Sequence, residues 1–73
     1  MSKACILIKT VPNATDRILE SVRKTGGIIK AYIVYGRWDI VAFVDAHYDE
    51  IGKISTTINS IDGVRTSETL PEA

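Results

Sequence analysis

The chain has 73 residues, 45% hydrophobic and 25% charged, a balance that excludes a disordered polymer and suits one small soluble domain. Nine Lys and Arg offset nine Asp and Glu, so the clustered cationic charge that dominates affinity for nucleic-acid backbones is missing. No apolar run approaches the roughly 18 residues of a membrane span, and MSKACILIKT is not a signal-peptide pattern. The single cysteine, Cys5, precludes an internal disulfide framework and suits a reducing compartment. The expected location is the cytoplasm.

In chain order, Lys3–Val11 is the first predicted strand. Ala4, Ile6 and Ile8 alternate with Cys5 and Leu7, apolar on both sides, which marks a central strand and not an edge. Cys5 reads as a small buried hydrophobe, with no local cation or helix N-terminus to activate its thiol. Pro12 and Asn13 break the strand, and Asn13 is the expected N-cap of a helix over Ala14–Thr25. Ile18, Leu19 and Val22 form its apolar face; Asp16, Arg17, Glu20, Arg23 and Lys24 form a solvated one. Gly26 and Gly27 end it.

Two runs rich in β-branched and aromatic residues follow, Ile28–Tyr35 and Ile40–Asp45, separated by the turn residues Gly36–Asp39. Ile29, Ala31, Ile33 and Tyr35 are expected on one face, Tyr32 and Val34 on the other; Ile40, Ala42 and Val44 alternate with Val41 and Phe43. A sheet with one face in water alternates apolar with polar residues. This hairpin does not, so both of its faces need cover. A second helix is expected over Asp49–Ser60, where Ile51, Ile54, Ile58 and Ile61 make one stripe. Gly52 inside it costs about 1 kcal/mol relative to Ala, which implies close packing on the sheet or a weak first turn. After Asp62 and Gly63 comes a shorter, more polar strand, Val64–Leu70, closed off by Pro71.

The order β-α-β-β-α-β, with right-handed crossovers, puts both helices on one face of one antiparallel sheet. The expected fold class is α+β, a ferredoxin-like βαββαβ sandwich with a four-stranded sheet and two helices on one face. The other face keeps a share of the Ile, Val, Tyr and Phe side chains and has no further element to cover it. A second copy packing sheet to sheet supplies both the cover and the core that so short a chain lacks.

Gly36, Trp38, Asp39 and Ile40 in the hairpin, Gly63 and Val64 after the second helix, and Ser67 and Thr69 one residue apart make a pattern that spans nearly the whole chain. It resembles the effector-binding module of the Lrp/AsnC regulators, the RAM domain (regulation of amino-acid metabolism), a dimeric α/β-barrel type of fold. The family's regulators carry an N-terminal helix-turn-helix domain, whereas this sequence begins at the first strand. The resemblance therefore implies a stand-alone ligand-binding and oligomerisation module over residues 1–73, without a DNA reader of its own. Its implied role is in transcriptional regulation of amino-acid metabolism, through an amino-acid effector held between assembled dimers. The implied partners are further copies, as dimers of dimers or a closed ring, and full-length regulators.

The side chains suit that ligand. Asp39 can pair with an ammonium, backbone N–H groups at Gly36–Trp38 with a carboxylate, and Ser67 and Thr69 offer neutral hydroxyls. Arg37 and Trp38 are expected as pocket walls or assembly contacts. The bland alternatives are that Asp39 only stabilises the turn and that Ser67 and Thr69 only sit on a solvated strand. Two other functions compete: a small oxygenase-like enzyme of the dimeric α/β-barrel kind, and a structural assembly module without a ligand. An enzyme would want His47, the only histidine, but no Cys/His cluster, paired acid–base carboxylates or phosphate-cradling loop accompanies it. No catalytic residue, metal or cofactor is expected.

With balanced charge and no DNA reader of its own, the 73-residue chain should not retard duplex DNA in a gel at physiological salt; a tight, sequence-specific shift would contradict that.

Overall fold

The computed structural model describes residues 1–73. Its elements are β1 (Ser2–Thr10), α1 (Thr15–Arg23), β2 (Ile28–Ile33), β3 (Ile40–Ala46), α2 (Tyr48–Asn59) and β4 (Val64–Pro71). All strand pairs are antiparallel and the sheet order is β2-β3-β1-β4. The ferredoxin-like sandwich is as expected, with β1 in the interior of the sheet. Neither helix is long and apolar enough to cross a membrane.

Both helices use the stripes written in the sequence. Ile18, Leu19 and Val22 of α1 and Ile51, Ile54 and Ile58 of α2 are buried. They meet Ala4, Ile6 and Ile8 of β1, Ala31 of β2 and Ile40, Ala42, Val44 and Ala46 of β3 in one core. Ile28, Ile61 and Val64 pack against its margin. Small residues alternate with branched ones on this face, which lets the helices lie close on the strands.

Several local expectations are corrected. Asn13 is not the N-cap: it adopts φ 67°, and Ala14 takes the cap position without a side-chain bond. Asn tolerates this left-handed backbone better than most residues, so Asn13 turns the chain instead of capping it. The helix is shorter than Ala14–Thr25 because Thr25 is already part of the exit turn, with its N–H on the Val22 carbonyl. In β2 the register shifts between Ile28 and Lys30, so Ile29 bulges out and is 64% exposed. The strand ends at Ile33, leaving Tyr35 beyond it and 98% exposed instead of aligned with Ala31 and Ile33. β4 runs one residue beyond the expected Leu70 and ends at Pro71, opposite Ala4. Proline is tolerated there because β4 is an edge strand. Gly52 is not closely packed on the sheet, since a Cβ there meets nothing within 4 Å.

The β2 edge is partly shielded. Arg23 Nε donates to the Ala31 carbonyl at 3.1 Å, occupying an acceptor that another strand would otherwise use.

Gly27 is required by its conformation. Its φ is +93°, and a Cβ there would lie 2.5 Å from Ile54 Cδ1. Gly27→Ala should therefore cost about 1–3 kcal/mol in urea unfolding. Gly26→Ala, with open space around it, should be neutral or slightly stabilising. Equal midpoints for the two variants would contradict this placement.

Candidate functional site

The β2–β3 turn is built around Asp39. Its N–H donates to the Ile8 carbonyl at 2.9 Å, and its carbonyl accepts the Val34 N–H at 2.9 Å. Its side-chain Oδ2 accepts the Thr10 N–H at 2.9 Å and lies 3.4 Å from the Thr10 hydroxyl. The Thr10 hydroxyl in turn shares a 2.7 Å bond with that of Thr15, in the first turn of α1. Thr10 is the one buried polar residue of the core layer. Asp39 thus ties the hairpin to the end of β1 through a partly buried network, the structural role that the sequence left open. Its second oxygen, Oδ1, has no partner within the chain.

Gly36, at φ +120°, carries the turn, and Gly36 and Arg37 are exposed while Trp38 is partly buried. Lys9 Nζ donates to the Arg37 carbonyl at 3.0 Å, pinning the tip. The N–H groups of Gly36, Arg37 and Trp38 find no acceptor in the chain. The turn therefore presents a carboxylate oxygen and several free N–H groups, a set that can pair with both ends of a zwitterion.

Ser67 and Thr69 are elsewhere. They pair with Ile8 and Ile6 on the far side of β1 from β3, about 10 Å from the β3 backbone at two strand spacings. Both point to the helix side. The Ser67 hydroxyl donates to Asn59 Oδ1 at 2.7 Å, and the Thr69 and Ser55 hydroxyls share a 2.6 Å bond. They fasten β4 to α2, so the bland expectation of a solvated strand face does not describe them. Within one chain they do not meet the Gly36–Asp39 turn. His47 occupies the N-cap position of α2, exposed and without a side-chain capping bond.

The opposite sheet face is built by register alone. Cys5 lies opposite Phe43 and Leu70, and Leu7 lies opposite Val41, which in turn lies opposite Tyr32. The Tyr32 and Phe43 rings are 6.1 Å apart, and Lys30 Nζ sits 5.5 Å from the Tyr32 centroid. Tyr32 and Leu70 are 39% and 46% exposed. Cys5 is only partly buried here, not a core residue, yet burial still pushes its thiol pKa up. No helix lies over these side chains.

What sequence reasoning missed is a groove of about 430 Å³ between α2 and β4, into which Asp49, Gly52, Ser55 and Thr69 open. Its one sequence signal is a glycine inside a helical stripe.

No protein-family model and no curated protein sequence matches the chain. Solved structures do. The crystal structure of TTHA0845 from Thermus thermophilus is 28% identical, with a TM-score of 0.94, over 100% of this chain and 94% of that one. The AsnC protein of E. coli is 19% identical, with a TM-score of 0.84, over 97% of this chain and 50% of its own. A feast or famine regulatory protein from M. tuberculosis, complexed with L-methionine, is 18% identical, with a TM-score of 0.72, over 99% of this chain and 50% of its own. The chain spans about half the length of these last two proteins. Over essentially its whole length it has the fold of half of an AsnC-family regulator, the fold that its Gly36–Ile40 and Gly63–Val64 motifs led us to expect.

Proposed function

We propose that the chain is an effector-binding and oligomerisation module, not an enzyme, that serves transcriptional regulation in the cytoplasm by assembly and not by reading DNA itself. The observation that carries this proposal is the apolar sheet face on which Cys5, Leu7, Tyr32, Phe43 and Leu70 surround the buried Val41 with no helix over them. So continuous a face on so small a chain calls for a partner, and a second copy brings an identical face about a two-fold axis. Full-length regulators with the same fold are the further partners that this surface suits.

The effector is an α-amino acid in this proposal. Support comes from the turn chemistry and from the L-methionine bound to the structurally similar M. tuberculosis protein. Asp39 Oδ1 takes the ammonium, free N–H groups of Gly36–Trp38 take the carboxylate, and Arg37 and Trp38 form walls. Ser67 and Thr69 contribute from a neighbouring copy, through the lone pairs that their bonds to α2 leave free. A pocket of this composition closes only between assembled dimers.

Light scattering should give a dimer or larger at micromolar concentration, and an 8 kDa particle would contradict the proposal.

The ligand half is tested at Asp39. Asp39→Ala removes the acceptor of the Thr10 N–H and should cost about 1–3 kcal/mol of stability, so Asn is the diagnostic replacement. Its amide oxygen still accepts that N–H, but its charge is gone. Loss of a charge-assisted bond worth about 1.5–3 kcal/mol should weaken binding roughly 10- to 100-fold with the fold intact. Calorimetry across the common amino acids, followed by the variant, makes the check; unchanged affinity in Asp39→Asn would remove Asp39 from the site.

A further inference from the structure

Apolar cover alone does not fix how two copies of the sheet face meet; the charges at its rim do. Register places two full rows of side chains on that face. Lys30, Phe43, Cys5 and Leu70 form one row, and Tyr32, Val41, Leu7 and Glu68 form the next. Lys30 stands on the β2 edge and Glu68 on the β4 edge, both exposed. They lie three strand spacings apart, about 14 Å, and form no ion pair within the chain. The face is thus apolar in its middle, basic at one edge and acidic at the other.

Two such faces packed with aligned strands can be related by a two-fold axis along the strands or across them. An axis along the strands lays β2 of one copy over β4 of the other. Lys30 then comes down on Leu70 of the second copy, between Glu68 and Glu72, which borders the same face. Lys3 and Asp45, opposite each other in one chain, each meet the other's counterpart. An axis across the strands lays β2 over β2 and β4 over β4. It gathers both Lys30 side chains over one strand pair and both Glu68 side chains over another, and turns Lys3 towards Lys9. Like charges brought together at an interface are costly. The rim therefore selects the axis along the strands.

Taking the two-copy assembly proposed above as given, we propose that Lys30 and Glu68 decide which face this one accepts. Each copy's Lys30 pairs with the other copy's Glu68, so that two ion pairs flank one apolar core. Opposed charges at a rim set orientation and partner choice more than affinity, as the flanking charges of a coiled coil do. A regulator of the same fold suits this surface where it carries an acid facing Lys30 and a cation facing Glu68.

The test is charge reversal in the whole 73-residue chain. Lys30→Glu opposes like charges at both edges of the dimer, and so does Glu68→Lys. Both positions are exposed, so each variant should fold and should self-associate about 10-fold or more weakly in sedimentation equilibrium. Mixed in equal amounts, with one of them isotope-labelled, the two variants should recover the affinity of the unmutated chain. Native mass spectrometry of that mixture should show heterodimer well above its random share. In the unmutated chain, NOEs should join Tyr32 of one copy to Leu70 of the other, side chains on opposite edges of one sheet. That measurement decides the matter even where a variant does not fold. The pairing is overturned if the heterodimer keeps to its random share, or if both variants self-associate as tightly as the unmutated chain. NOEs that join Tyr32 to Tyr32 and Leu70 to Leu70 instead also overturn it. A dimer that persists through those results leaves the assembly standing without this pairing, whereas a monomer at micromolar concentration removes both.

Discussion

A four-stranded sheet with apolar side chains on both faces, and only two helices to cover it, is the constraint on which the rest of this molecule depends. The helices spend their Ile, Leu and Val stripes on one face, whose strand residues are small or branched and almost completely buried. Tyr32, Phe43, Leu7, Val41 and Leu70 remain on the other face, together with Cys5. At about 25 cal/mol per Å² of apolar surface removed from water, covering such a face is a substantial gain for a domain of marginal size. We propose that assembly is therefore part of how this chain becomes stable as well as how it works.

The hairpin turn shows how function and fold share one residue. One oxygen of Asp39 is spent on Thr10, and through it on Thr15 and α1, while the other is left without a partner in the chain. A carboxylate held on one side by the fold is preorganised on the other, which lowers the cost of binding. Thr69 shows the opposite case. Its hydroxyl is engaged with Ser55, so its first task is to hold β4 on α2, and any ligand role uses what that bond leaves over.

The element order, the central place of β1 and the two isoleucine-rich stripes were legible because period and composition agree there with tertiary packing. The misplaced details are those that depend on non-local contacts. Asn13 looked like a cap, but the chain needed a left-handed turn between β1 and α1 at that position. Ile29 and Tyr35 followed the strand alternation until a bulge and an early strand end broke the pattern. Of the candidate site, the Gly36–Asp39 turn was visible as a motif. The direction of Ser67 and Thr69 was not, because only register against β1 decides which face of β4 they occupy. Gly52 was visible as an anomaly, and the structure replaces the expected close packing with open space beside it.

The central claim, that the uncovered face is buried by a second copy, is tested most directly by isotope-filtered NOE spectroscopy on a mixture of labelled and unlabelled chains. Intermolecular NOEs should come from Leu7, Tyr32, Val41, Phe43 and Leu70 and be missing from Ile6, Ile8 and Ala42. Intermolecular NOEs confined to the helices, or none at all at concentrations where the chain is a single species, would contradict the account.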